Sequence, residues 1–151
     1  MRIDRNGTWY YLGTPIGRHA LVKLFSTVLR RDEEGVHWLT TPVDNGRLEV
    51  EDVAFIAVEL LVEGEGKSQS ISFRTNVDDV VPLDDDHPLR IELDDGTNEP
   101  RPYIYVRKGL EARIARTTFY HLIERGKEAP GDKNKLGVWS NGRFFEIGSM
   151  T

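Results

Sequence analysis

The sequence predicts an α+β fold of two related β-rich modules, each a β-hairpin, a helix and a second β-hairpin, arising by internal duplication. Three observations carry this reading. Asn-Gly pairs, whose residues tolerate the positive φ of tight hairpin turns, stand at Asn6-Gly7, Asn45-Gly46 and Asn141-Gly142. Two stretches space their apolar residues as a helix does. The order of hairpin, helix, tryptophan strand and Asn-Gly-Arg hairpin then occurs twice, with Trp38 matched by Trp139 and Asn45-Gly46-Arg47 by Asn141-Gly142-Arg143.

Each element follows from local chemistry. Residues 2–12 form a hairpin around Asn6-Gly7, and Gly13, Pro15 and Gly17 break the second strand. Leu21, Leu24, Phe25, Val28 and Leu29 predict a helix over residues 18–31, closed by Arg30 and Arg31 as the macrodipole favours. Strands at 36–40 and 47–50 follow, with Pro42 and Asn45-Gly46 between them. Residues 53–63 and 70–76 read as two strands around a polar turn, and 78–88 as an acidic loop. In the second module Arg90-Ile91-Glu92 parallels Arg2-Ile3-Asp4, and Tyr103-Ile104-Tyr105 parallels Trp9-Tyr10-Tyr11. Leu110, Ile114, Phe119, Leu122 and Ile123 predict a helix over 110–125, ended by Gly126. The last hairpin is 136–140 and 143–147. The predicted organisation is residues 1–54 as the N-terminal module, 55–89 as connecting strands and acidic loop, and 90–151 as the C-terminal module.

Charge narrows the function. The net charge is −5, which disfavours general nucleic-acid binding by phosphate neutralisation. Nine acids and one base, Arg90, lie between Asp78 and Glu99, so the excess is concentrated there. No apolar run is long enough to span a bilayer, and no secretory signal is read, so a cytoplasmic setting is expected. With no cysteine, disulfides, thiolate nucleophiles and thiolate metal sites are excluded.

Three runs carry a family resemblance: Ile3-Asp4-Arg5-Asn6-Gly7-Thr8-Trp9-Tyr10-Tyr11-Leu12-Gly13-Thr14-Pro15-Ile16, Arg74-Thr75-Asn76-Val77-Asp78-Asp79 and Gly137-Val138-Trp139-Ser140-Asn141-Gly142. Together they resemble an uncharacterised proteobacterial family, domain of unknown function number twelve-eighty-five, over essentially the whole chain. The resemblance implies a duplicated core whose C-terminal half is pleckstrin-homology-like, a binding site between the halves and a signalling role. It implies no activity. It also implies the further segment ahead of the Arg-Ile-Asp strand that family members usually carry.

Familiar catalytic patterns fail. Gly64-Glu65-Gly66-Lys67-Ser68 looks like a phosphate loop, but Leu61 stands where the pattern needs glycine and a strand follows instead of a helix. Asp84-Asp85-Asp86 and Asp94-Asp95-Gly96 lack the alternating spacing of a calcium loop. His19, His37, His87 and His121 stand singly. Trp38 and Trp139 are read as core or interface anchors. What remains is Arg74 and Asn76 at a strand end, and a basic set of Arg107, Arg113 and Arg116, with Arg113, Arg116 and Tyr120 on one face of the second helix. Guanidinium forks suit phosphate or carboxylate, so these six residues are the candidate ligand site. Pairing with the chain's own acids is the alternative use of the same arginines. The expected function is a non-enzymatic module binding an anionic ligand or a protein segment, without a cofactor. A small hydrolase or phosphotransfer accessory and a structural subunit are the other readings.

Overall fold

Period-two alternation shapes most of this chain, and its apolar side chains meet in one buried cluster that draws on both modules: Ile3 and Trp9 from the first, Phe55, Phe73, Ile104, Leu122 and Val138 from the rest. The computed structural model describes residues 1–42 and 45–149. Its first module runs β1 (Arg2–Ile3), β2 (Trp9–Tyr11), β3 (Thr14–Pro15), α1 (His19–Ser26), β4 (Leu29–Arg31), β5 (His37–Thr40) and β6 (Asn45–Val50). β6 returns to lie parallel to β1, with Arg2 opposite Glu49 and Ile3 opposite Val50, giving the sheet order β3-β2-β1-β6-β5-β4.

The remainder runs β7 (Phe55–Glu63), β8 (Ser70–Thr75), β9 (Val80–Pro82), β10 (Leu89–Leu93), β11 (Pro100–Arg107), β12 (Leu110–Ile114), α2 (Arg116–Glu124), β13 (Lys127–Ala129), β14 (Asp132–Ser140) and β15 (Arg143–Ser149). A second six-stranded sheet has the order β10-β11-β12-β7-β8-β9, joined at its centre by the parallel pair β12 and β7. β13, β14 and β15 form a separate antiparallel meander. Three strands, a helix and three strands thus occur twice, from β1 to β6 and from β10 to β15, with β7, β8 and β9 between. One join differs. β6 pairs with β1, whereas β15 lies beside β10 without a ladder between them.

Several expectations are corrected. The first helix stops at Ser26, where the amides of Thr27 and Val28 bond back three residues to Leu24 and Phe25. Leu29–Arg31 is a strand because it pairs with β5, and the Arg31 amide donates to the Lys108 carbonyl. Leu110–Ile114 is likewise a strand, β12, so the second helix begins at Arg116. The cause is a shared spacing: residues four apart lie on one side of either a helix or a strand, and Leu110 and Ile114 satisfy both. Arg113 therefore projects from a strand and shares no helical face with Arg116.

The helix stripes shift as well. α1 buries Val22 and Ser26, with Phe25 stacked on Trp9 at 6.3 Å, while Leu24 is 62% exposed. α2 buries Thr118, Phe119 and Leu122, and leaves Ile123 37% exposed. Asn45-Gly46 sits in β6, opposite Thr40 and Leu39, rather than in a turn, and residues 43–44 lie outside the described residues. The acidic loop contains β9. Trp38 and Trp139 are half-buried, and the core tryptophan is Trp9, 1% exposed.

Candidate functional site

The turn that follows β8 is built by Thr75. Its hydroxyl accepts from the Val77 and Asp79 amides, its carbonyl from the Asp78 amide, and Asp78 takes φ +67. Asp78 then points across the junction of the two modules, while Asp79 meets Arg107 of β11, which itself reaches the Ser26 carbonyl of the first module. His19 Nε2 lies 2.9 Å and Lys23 Nζ 3.5 Å from the Asp78 carboxylate, both from α1. The His19 hydrogen bond, ahead of Lys23, holds the Asp78 carboxyl below its ordinary range.

The predicted site residues distribute along this junction. Arg74 donates to Glu59 at 2.9 Å and Asp78 at 3.1 Å, and the Glu59 bond leads in raising its pKa. Arg107 donates to Asp79 at 2.6 Å and to the Ser26 carbonyl at 3.2 Å, lying over the Phe55 ring. Arg113 reaches Asp52 at 2.8 Å and the Arg5 carbonyl at 2.9 Å. Asn76 accepts from the Ile56 amide at 3.0 Å and donates to the Gly7 carbonyl at 3.4 Å. Arg116 and Tyr120 are elsewhere, on the exposed face of α2, with Arg116 3.6 Å from Glu99. The structure brings Arg74, Asn76, Arg107 and Arg113 to one seam, and each of these arginines already has a carboxylate of this chain. The pairs are partly exposed, so solvent screens them and they add little to stability. Arg107 and Arg113 also donate to carbonyls of the first module, at Ser26 and Arg5, and so tie the two modules together.

The third motif run closes the other end of β8. Ser140 Oγ donates to the Leu83 carbonyl at 2.7 Å and accepts from the Ile71 amide at 2.9 Å, fully buried. The Asn141 side chain donates to Leu83 and accepts from Ser70 Oγ. All three motif runs therefore hold β8: the Gly7 turn at its exit, the Thr75 turn itself, and the Ser140-Asn141 corner at its start.

A different place on the surface carries chemistry that the fold does not consume. The turn holding Gly66–Ser68, the C-terminal end of α2, the start of β13 and the Trp139 side of β14 enclose an open cleft of ≈ 700 Å³. Gln69 fixes its floor, donating to the Trp139 carbonyl at 3.0 Å and accepting from the Asn141 amide. The Trp139 indole packs edge-on against Phe144 at 5.4 Å, with the Lys67 ammonium 5.4 Å from its centroid. Gly126 sets the tight passage from α2 into β13, because a Cβ there would lie 2.8 Å from Leu136 Cδ1 and 2.9 Å from the Ile123 carbonyl oxygen. That passage places Arg125 and Lys127 on the cleft wall.

Six charged side chains border this cleft: Lys67, Arg125 and Lys127, with Glu65, Glu124 and Glu128. Among the described residues none of the six has an ion-pair partner within 4.0 Å, and the Trp139 indole N–H has no acceptor. The seam spends its charges internally; the cleft does not. In the sequence Lys67 reads as part of a hairpin turn and Trp139 as an anchor, while Arg125 and Lys127 stand outside any motif. The available signal was the pair of cations flanking the glycine that ends a helix. Among the described residues no group of three His, Asp or Glu side chains is placed to hold a metal ion, and no helix is long and apolar enough to cross a membrane.

Comparison with known proteins gives the lineage. Residues 1–53 match a family described as domain of unknown function (DUF1285), N-terminal domain, and residues 54–147 match protein of unknown function (DUF1285), C-terminal domain. No curated protein matches the chain. Among solved structures, a DUF1285 family protein from Silicibacter pomeroyi DSS-3 is 43% identical with a TM-score of 0.90, the match covering 99% of this chain and 79% of that one. A DUF1285 family protein from Shewanella baltica OS155 is 23% identical with a TM-score of 0.64, over 82% of this chain and 89% of that one, a likeness of fold alone. With both of its domains represented along one sequence, the chain belongs to the DUF1285 family.

Proposed function

We propose that this protein is a non-enzymatic binding module whose ligand seat is the Trp139 cleft, and that the ligand is a small anion with a planar apolar part. The observation that supports this is the set of unpaired charges around a half-buried indole with a free N–H donor. A phosphate or carboxylate would bridge Lys67, Arg125 and Lys127, and the planar part would lie against Trp139. Glu65, Glu124 and Glu128 at the rim would reject a second negative group and accept from a donor. The seam arginines position the modules in this reading. A pleckstrin-homology likeness of the C-terminal half belongs to the same proposal, supported by the β10-β11-β12-β7-β8-β9 sheet followed by α2. So do a cytoplasmic setting and a signalling role, in which ligand occupancy is the input.

Titrating the protein with phenyl phosphate, inorganic phosphate and benzoate while following tryptophan fluorescence tests the reading. Phenyl phosphate should change the emission saturably, and Trp139→Phe should abolish the change. Arg125→Ala should weaken binding by about tenfold, or about 1.4 kcal/mol, while Arg116→Ala leaves it unaltered. An unaltered titration in Lys67→Ala and Arg125→Ala moves the site away from this cleft.

A further inference from the structure

β10 is an open edge. In the ladder with β11, the Tyr105 amide donates to the Pro88 carbonyl and the Asp94 amide to the Glu99 carbonyl. Those two bonds fix the alternation. Arg90 and Glu92 turn their backbone groups toward Tyr103 and Arg101, while Leu89, Ile91 and Leu93 point theirs away from the sheet. Among the described residues no partner meets these outward groups. The equivalent join in the first module is closed, since β1 takes β6 as a parallel neighbour, whereas β15 passes beside β10 and makes no ladder. No proline falls within Leu89–Leu93, and Leu93 leaves 59% of its surface exposed at the end of the strand.

Charge identifies the occupant. Asp84, Asp85 and Asp86 precede β10, and Asp94, Asp95 and Glu99 follow it. Arg90 is spent on Glu111 and Glu92, while Arg143 meets Asp85, His87 meets Asp84 and Arg116 meets Glu99, so that Asp86, Asp94 and Asp95 are the flanking acids without an ion-pair partner among the described residues. Two copies of β10 pairing antiparallel would set each copy's leading acids against the other's trailing acids, which disfavours self-association at this edge. We infer that the open edge of β10 receives an extended basic segment of a partner protein by strand addition. Backbone bonds to Leu89, Ile91 and Leu93 would supply the affinity, and lysines or arginines at either end of the segment would meet the acidic flanks. The site is separate from the Trp139 cleft and does not rest on the function proposed for it.

The probe is an acetylated peptide of alternating lysine and valine, six residues long, with a glutamate–valine peptide as its counterpart. Amide hydrogen exchange of the full chain is read residue by residue. The basic peptide should slow exchange at Leu89, Ile91 and Leu93 by about tenfold or more, saturably, and less so as salt rises. Ile91→Pro removes an outward donor at an edge position that tolerates proline, and should abolish the protection. Asp86→Lys with Asp95→Lys leaves the backbone unaltered, and should weaken the basic peptide by about tenfold. Trp139→Phe should bind the peptide as the parent does, so a failure of the cleft proposal leaves this result unchanged. Equal protection by the acidic peptide, or protection confined to β13 or β15, overturns the inference.

Discussion

Gly7 and Asn76 meet across the seam so closely that neither position admits ordinary variation. The Asn76 side-chain amide donates to the Gly7 carbonyl, and a Cβ on Gly7 would lie 2.7 Å from that same nitrogen and 3.0 Å from Ile56 Cγ1. Gly7 also takes φ +84, the left-handed region that L side chains disfavour. Gly7→Ala combines backbone strain with a contact, and should cost about 1–3 kcal/mol in urea unfolding. Asn76→Ala leaves the Ile56 amide without its acceptor and should cost a similar amount, about 1–3 kcal/mol. A loss below about 0.5 kcal/mol in both variants would show that the Gly7 turn is not docked in solution.

Phe119 and Leu24 make a paired test of the helix faces. Phe119 is 5% exposed and lies in the shared core, so Phe119→Ala should cost about 3–5 kcal/mol, counting the cavity left behind. Leu24→Ala, on the outward face of α1, should stay within about 0.5 kcal/mol of the parent. Chemical denaturation of both variants checks the rotation of the two stripes.

Arg90 and Arg116 differ in what they leave behind. Glu111 is nearly buried and receives two hydrogen bonds from Arg90, at 3.0 and 2.9 Å. Those bonds, Glu111 first, push the Arg90 pKa up. Arg90→Ala strands that carboxylate, with Arg31 no nearer than 3.9 Å, and should cost about 2 kcal/mol or more. Arg116→Ala breaks an exposed pair with Glu99 and should change stability by less than about 0.5 kcal/mol. Equal effects would mean that the Glu111 site is solvated.

His37 gives stability a pH dependence. Burial, reinforced by the nearby Arg31 charge, lowers its pKa from the ordinary 6.5. Between the folded value and 6.5 the unfolded chain binds the additional proton, so stability rises with pH across that window. This contribution is complete above pH 6.5 and is lost as pH falls through the folded value. Thermal unfolding between pH 7 and pH 5 should show a falling Tm that flattens in His37→Gln. An identical slope in the variant assigns the effect to other groups.

The order of elements was legible because turn chemistry and apolar spacing are local. Asn6-Gly7 and Asn141-Gly142 are turns in the structure, and α2 ends at the glycine that the sequence marks. What failed was any choice that needs a partner. Leu110 and Ile114 fit a helix and a strand equally, and only pairing with β7 and β11 selects the strand. Asn45-Gly46 carries turn chemistry, but the ladder with β5 extends it. Arg74 and Arg107 were found because they sit at element ends; that Asp78 and Asp79 would face them depended on a turn built by Thr75. Of the Trp139 cleft only the cations flanking Gly126 show in the sequence, since its walls come from three separate segments.

The parallel pairing of β7 with β12 also bears on how the chain is made. Synthesis delivers Phe55-Ile56-Ala57 long before Ala112, Arg113 and Ile114 emerge to cover that side of the strand. Until then an apolar segment with β propensity is paired along one edge only, with β8, and every residue added in between lengthens the loop that must close. Arrival of β12, rather than local collapse, therefore completes the sheet. A nascent chain stalled ahead of β12 is the species that a chaperone would find exposed.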